Sequence, residues 1–123
     1  MMPKSSIALI ALLAAGVMVT PAVAHPKLKA ASPAVDGVAA SSLGEIRLSF
    51  NEGVIAKFSS VDLKDQSGQK IPIGKVTTDP KDRKQLVVTL ASPLTAGHYT
   101  VGWIVVSEDT HRVEGSYSFR VDR

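Results

Sequence analysis

The stretch of sequence that decides the fold is HYTVGWIVV, residues 98–106. Because the side chains of a β-strand point alternately to its two faces, every second residue of this stretch shares one face. The residues that share the apolar face are Tyr99, Val101, Trp103 and Val105. Trp103 is large enough to anchor a core from the middle of such a strand. The stretch therefore predicts a long strand with one buried side.

Shorter strands of the same kind are predicted on both sides of this stretch. They are EIRLSF (45–50), 61–63, 71–78, QLVVTL (85–90) and 114–121, with Pro72 and Gly74 weakening the segment 71–78. Turns are predicted between them at 65–68, 79–83 and 93–97. This spacing predicts an all-β fold, an Ig-like Greek-key β-sandwich or barrel of about seven strands.

The first 24 residues have the pattern of a secretory signal peptide. Lys4 supplies the positive charge, residues 7–19 form an apolar stretch of 13 residues, and Ala22–Ala24 is an A-x-A cleavage site. The apolar stretch is short for a membrane-spanning helix, which needs about 20 residues. We therefore expect residues 1–24 to be removed and residues 25–123 to form one domain outside the cytoplasm. An N-terminal anchor that is not cleaved is the alternative.

The composition of the mature chain restricts its chemistry. Without Lys4 it has 13 basic and 11 acidic side chains, which are interspersed, so nothing indicates a nucleic-acid partner. The chain has no cysteine, and its three methionines, Met1, Met2 and Met18, all lie in the predicted signal peptide. A metal would therefore be held by nitrogen and oxygen ligands, which favour divalent ions.

Cleavage after Ala24 would make His25 the first residue of the mature protein. An N-terminal histidine can bind one metal ion through both its α-amine and its imidazole Nδ1. The amine has a pKa near ~8, so a metal can displace its proton at neutral pH. Pro26 has no amide N–H, so the second backbone nitrogen cannot become a ligand. His25 is therefore predicted to supply two nitrogen ligands. The alternative is that signal cleavage leaves a histidine at this position by chance.

Asp109 and His111 form a D-x-H pair in the connection between the last two predicted strands. Connections that a rigid sheet holds in place are frequent sites of binding residues. With the two nitrogens of His25, this pair would supply three nitrogens and one oxygen, a set that favours Cu(II). Taken alone, the pair also fits an Asx-turn with a solvated histidine. Glu52 is a further candidate, as an oxygen ligand, as an acceptor that orients an imidazole, or as an ordinary exposed carboxylate.

These residues together resemble the CopC family of periplasmic copper-binding proteins. The resemblance covers the mature domain and rests on HPKL (25–28), SPA (32–34), LSFNE (48–52) and the stretch 97–111. It implies a seven-stranded Greek-key β-barrel or sandwich. It also implies a Cu(II) site formed by the amine and imidazole of His25, the carboxylate of Asp109 and the imidazole of His111, with Glu52 near the copper in some members.

Two departures from the family pattern affect the prediction. Some relatives have a second site for monovalent copper, made of methionines and a histidine, and this chain lacks those methionines. It therefore resembles the branch that binds only divalent copper. Relatives commonly have glycine between the aspartate and the histidine, where this chain has Thr110. If that position needs a positive φ, a threonine is strained there.

We predict a monomeric periplasmic protein, not an enzyme, that binds one Cu(II) per chain. It would sequester the ion or transfer it to a CopD-like inner-membrane copper protein, without inserting into the membrane itself after signal cleavage. One alternative is a copper monooxygenase that cleaves polysaccharides, which also uses an N-terminal histidine, although Asp109 would fill the open position such an enzyme needs. The other is a β-sandwich interaction module that binds no metal and in which the histidines are incidental.

Overall fold

The computed structural model describes residues 26–123, so His25 and the predicted signal peptide lie outside the described residues. Within this range the chain forms nine β-strands and a short 3-10 helix at Ala56–Phe58. The strands are β1 (Leu28–Ser32), β2 (Val38–Ala40), β3 (Glu45–Phe50), β4 (Ser60–Asp65), β5 (Lys70–Ile71), β6 (Ile73–Asp79), β7 (Asp82–Leu90), β8 (Gly97–Val106) and β9 (Arg112–Asp122). Between residues 26 and 123, no helix is both long and apolar enough to cross a membrane.

The strands form two sheets, which confirms the predicted all-β sandwich. One sheet has four strands in the order β1-β3-β7-β6, and the other has five in the order β2-β9-β8-β4-β5. All neighbouring pairs are antiparallel except β2 and β9, which run parallel. Neighbours such as β3 and β7, or β4 and β8, are distant in sequence, so the chain crosses between sheets as a sandwich requires.

The inner faces of both sheets enclose one hydrophobic core. β3 and β8 contribute the alternating apolar side chains that the sequence predicts, and Trp103 is buried with its ring edge-on to Phe50 at 6.0 Å between centroids. Trp103 pairs with Gly115 on β9, where a Cβ would lie 2.5 Å from the indole ring. Gly115 therefore provides the space in which the indole packs, and Trp103 anchors the core as predicted.

The strand prediction was incomplete in three places. Pro72 divides the predicted strand 71–78 into β5 and β6, because proline lacks the N–H that a continuous ladder needs. β7 begins at Asp82, inside a segment predicted as a loop, because Asp79 pairs with Asp82 and closes a tight hairpin. β1 and β2 were not predicted, because they are short, rich in alanine and without an alternating apolar pattern. Together with the division of 71–78, these two strands bring the observed count to nine, where about seven were predicted.

The pairing of β8 with β9 positions the predicted ligands. The two strands pair without interruption from Gly97↔Val121 to Val106↔Arg112. Their connection, residues 107–111, therefore lies at one end of the five-stranded sheet. The segment that follows β3 lies against the same end, because Val54 forms an isolated β-bridge with Ser107.

Candidate metal-binding site

Residues 107–111 form a tight five-residue turn between β8 and β9. The N–H of Ser107 donates to the carbonyl of His111 at 2.9 Å, and the N–H of Thr110 donates to the carbonyl of Ser107 at 2.8 Å. Thr110 has a φ of 70°. This is the pattern of a hairpin connection in which the fourth of the five turn residues adopts the left-handed conformation.

Thr110 occupies the backbone position for which glycine is suited. A β-branched residue at positive φ is an outlier, and such a conformation costs about 1–3 kcal/mol. The Thr110 hydroxyl donates to the carbonyl of Asp109 at 2.5 Å. From the sequence, Thr110 was predicted to be strained if its position needs a positive φ. The position does have a positive φ, so the threonine is strained.

Ser107 connects the two predicted ligands. It belongs to the stretch 97–111 that carries the family resemblance, but no role was assigned to it from the sequence. It is fully buried, and its hydroxyl donates a hydrogen bond to Asp109 Oδ1. The Ser107 hydroxyl oxygen accepts a hydrogen bond from the backbone N–H of His111 at 3.1 Å. The serine two residues before the aspartate, an S-x-D pattern at a strand end, was the signal available in the sequence.

Asp109 and His111 are brought together by this turn. Asp109 Oδ1 lies 3.2 Å from His111 Nδ1, and the two side chains are 48% and 39% exposed. The hydrogen bond from Ser107, and secondarily the His111 ring, hold the pKa of the Asp109 carboxyl below its ordinary value. Asp109 is therefore a carboxylate at neutral pH, next to an imidazole and reachable from solvent.

The segment that contains Glu52 docks on this turn through its backbone. The N–H of Glu108 donates to the carbonyl of Gly53 at 2.9 Å, and the N–H of Ile55 donates to the carbonyl of Val106 at 2.8 Å. A Cβ at Gly53 would overlap the Glu108 carboxylate, which also pairs with Arg83 at 3.1 Å. The small residue thus allows the two segments to approach closely.

One oxygen of Glu52 is unusual. Oε2 is buried and accepts no hydrogen bond from residues 26–123. A carboxylate oxygen removed from water without a partner is costly, and a cation is one group that would satisfy it. Within the described range, however, no three His, Asp or Glu side chains lie close enough together to hold one metal ion. The described residues therefore pair Asp109 with His111 and place the Glu52 segment on the same turn, without grouping all three side chains.

The two other histidines of the mature chain are His25 and His98. His25 lies outside the described residues. His98 is exposed near the start of β8, at the opposite end of the strand from residues 107–111.

A profile of the CopC domain matches residues 28–122, which is nearly all of the described chain. The chain belongs to the CopC family. Relatives in this family include Copper resistance protein C of Pseudomonas syringae pv. tomato, 37% identical over 118 residues, a match that spans 91% of this chain and 93% of that protein. Copper resistance protein C of Xanthomonas campestris pv. juglandis is 39% identical over 117 residues, a match that spans 91% of this chain and 91% of that protein.

Solved structures of CopC-family proteins share the fold. PcoC, described as a methionine-rich copper resistance protein from Escherichia coli, is 36% identical and has a TM-score of 0.73, with 80% of this chain and 100% of PcoC covered. CopC from Methylosinus trichosporium OB3b is 32% identical and has a TM-score of 0.73, with 80% of this chain and 94% of that CopC covered. The predicted family is thereby confirmed. It is a family of copper-binding resistance proteins, which confirms that the chain is not an enzyme.

Proposed function

We propose that this CopC-family protein binds one Cu(II) ion per chain in the periplasm, after residues 1–24 have been removed. The proposed ligands are the α-amine and imidazole of His25, the carboxylate of Asp109 and the imidazole of His111. The observation that carries the proposal is the 3.2 Å separation of Asp109 Oδ1 and His111 Nδ1. Two ligand atoms that each lie about 2 Å from one ion are about 3 Å apart. The turn therefore needs little rearrangement to bind.

The donor types favour the divalent ion. The proposed set contains three nitrogens and one carboxylate oxygen, and Cu(II) is the first-row divalent ion that such sites bind most tightly. Monovalent copper favours thiolate and thioether ligands, and residues 25–123 contain neither cysteine nor methionine. PcoC, whose own description is methionine-rich, differs from this chain in that respect.

Glu52 is proposed to support this site from the neighbouring segment. Its buried Oε2 has no hydrogen-bond partner among residues 26–123, so a nearby cation or an imidazole N–H would lower the cost of its burial. The backbone contacts of Gly53 and Val54 with the turn fix the position from which Glu52 can act.

Exposure of the turn suits a protein that passes on its ion. Asp109 and His111 are partly exposed, so a partner protein can approach the turn that carries the proposed ligands. Binding releases protons, because the amine and the imidazoles must be deprotonated, and affinity should fall as the pH falls. We propose that the protein is monomeric and either sequesters Cu(II) or transfers it to a CopD-like inner-membrane copper protein.

The test compares two histidine substitutions in the mature protein that begins at His25. We expect His111→Ala to lose stoichiometric Cu(II) binding in a competition titration, because it removes one of four ligands. His98→Ala is the matched control, since His98 lies at the opposite end of β8, and it should bind like the wild type. Wild-type affinity in His111→Ala would contradict the proposal.

A further inference from the structure

We infer that Ser107 is a positioning residue for the copper site, an inference that rests on the proposed function. Ser107 directly follows β8 and is fully buried. Its hydroxyl donates to Asp109 Oδ1 and accepts from the backbone N–H of His111 at 3.1 Å. One side chain thus fixes both residues that carry proposed ligands to the end of the strand.

The backbone of the turn does not depend on this hydroxyl. The Ser107 N–H, the Thr110 N–H and the bridge to Val54 are all main-chain interactions, and an alanine at position 107 would keep every one. The hydroxyl contributes separately, by restraining the Asp109 side chain and by accepting from the His111 N–H. Its loss should therefore affect the ligands more than the fold of the turn.

The restraint has a clear consequence for metal binding. Ser107 holds Asp109 Oδ1 on the side of the turn that faces His111 Nδ1. An aspartate that is already fixed loses less rotamer freedom when it binds. Removing a group that orients a metal ligand typically weakens metal affinity by about 10–100-fold. Because Ser107 is fully buried, water does not compete for its hydroxyl.

The experiment compares Ser107→Ala and Ser107→Thr in the mature protein, using Cu(II) alone as the probe. We expect Ser107→Ala to bind Cu(II) about 10–100-fold more weakly and to change the copper hyperfine splitting in the electron paramagnetic resonance spectrum. Ser107→Thr keeps a hydroxyl and should restore affinity and spectrum towards the wild type. A spectrum that changes with the hydroxyl is a readout that a purely structural role would not move.

Ser59→Ala is the matched control. The Ser59 hydroxyl also makes one donated and one accepted hydrogen bond at this end of the molecule, to the carbonyl of Ile55 at 2.7 Å and from the N–H of Val106 at 3.0 Å. Its removal should lower stability but leave Cu(II) affinity unchanged. If Ser59→Ala weakened Cu(II) binding as much as Ser107→Ala, or if Ser107→Ala bound like the wild type, the inference would be wrong.

Hydrogen exchange of the metal-free protein gives an independent test. The His111 amide should be protected in the wild type and exchange faster in Ser107→Ala, while the Val54 amide, which donates to Arg83, should not change. An unprotected His111 amide in the wild type would overturn the inference even if Ser107→Ala did not fold. The His111→Ala titration separates the proposed function from the inference about Ser107. Retained Cu(II) binding in His111→Ala would contradict the proposed function. Exchange of the His111 amide would still decide the role of Ser107.

Discussion

Two five-residue turns of this protein, 65–69 and 107–111, share a backbone pattern and differ in their side chains. In each, the first N–H donates to the fifth carbonyl, the fourth N–H donates to the first carbonyl, and the fourth residue has a positive φ. A carboxylate and a hydroxyl occupy the first and third positions of both turns in opposite order. The pairs are Asp65 with Ser67, and Ser107 with Asp109.

In the first turn the carboxylate stabilises the turn itself. Asp65 Oδ1 accepts from the Ser67 N–H at 2.9 Å, the Ser67 hydroxyl at 2.6 Å and the Gln69 N–H at 3.0 Å. Gly68 occupies the left-handed position at a φ of 86°, where a residue without Cβ is not strained. Each local interaction therefore favours the same folded turn.

In the second turn the hydroxyl takes the inner position and the carboxylate faces outward. Ser107 accepts from the His111 N–H, as Asp65 accepts from the Gln69 N–H, while Asp109 lies half-exposed beside the His111 ring. Thr110 replaces the glycine and adds strain. The comparison indicates that this turn gives up local stability and gains a half-exposed carboxylate beside an imidazole.

The largest expected difference between the turns is in Cu(II) binding. Asp109→Ala should weaken Cu(II) binding by at least about 100-fold, more than loss of an outer orienting group, because it removes a proposed ligand. Asp65→Ala should bind Cu(II) like the wild type but lower the melting temperature by several degrees, because three hydrogen bonds are lost. Competition titration and thermal unfolding measure the two effects. If both variants changed the same property, the contrast between the turns would not hold.

Exchanging the left-handed residues should change stability in opposite directions. Gly68→Thr should lower the free energy of unfolding by about 1–2 kcal/mol, because the site has open space and only backbone strain opposes the side chain. Thr110→Gly should raise it by up to about 1 kcal/mol, since relief of strain exceeds the entropy that glycine gains on unfolding. Urea denaturation of the metal-free proteins measures both. A destabilised Thr110→Gly variant would show that the threonine is not strained.

The smallest effect concerns acid stability. The Ser67 hydroxyl, followed by the Gln69 N–H, holds the pKa of Asp65 below its ordinary value. The stabilisation that the Asp65 carboxylate provides should therefore be complete well above pH ~3.9, the ordinary aspartate pKa. It should decline as the pH falls below that value towards the lower pKa of Asp65 in the folded protein. Melting temperatures of the wild type and Asp65→Asn should thus converge in acid. A difference that stayed constant from neutral pH down to pH ~2 would count against this assignment.

The sequence predicted those parts of the molecule whose signals are local. β3 has the predicted bounds, and the apolar face of β8 is buried as expected. The D-x-H spacing was enough to anticipate that Asp109 and His111 lie close together. The glycine that the family resemblance implied at position 110 was enough to question Thr110.

Features that depend on contacts between distant segments could not be predicted. The docking of Gly53 and Val54 on Ser107 and Glu108 joins two parts of the chain that no periodicity connects. The hydrogen bond from the backbone N–H of His111 to the Ser107 hydroxyl becomes visible only once the turn is folded. β2 is three residues long and is held as a strand by pairing with β9, not by its own propensity.

The most direct test of the central claim is Cu(II) titration of two forms of the mature protein, one beginning at His25 and one with a single glycine added before it, each confirmed by mass spectrometry. Because the added residue converts the His25 amine into an amide, the proposed site loses one of its nitrogen ligands. We predict tight binding of one Cu(II) by the first form and a loss of at least about 100-fold, with a changed electron paramagnetic resonance spectrum, in the second. Equal affinities and spectra would contradict the proposed site.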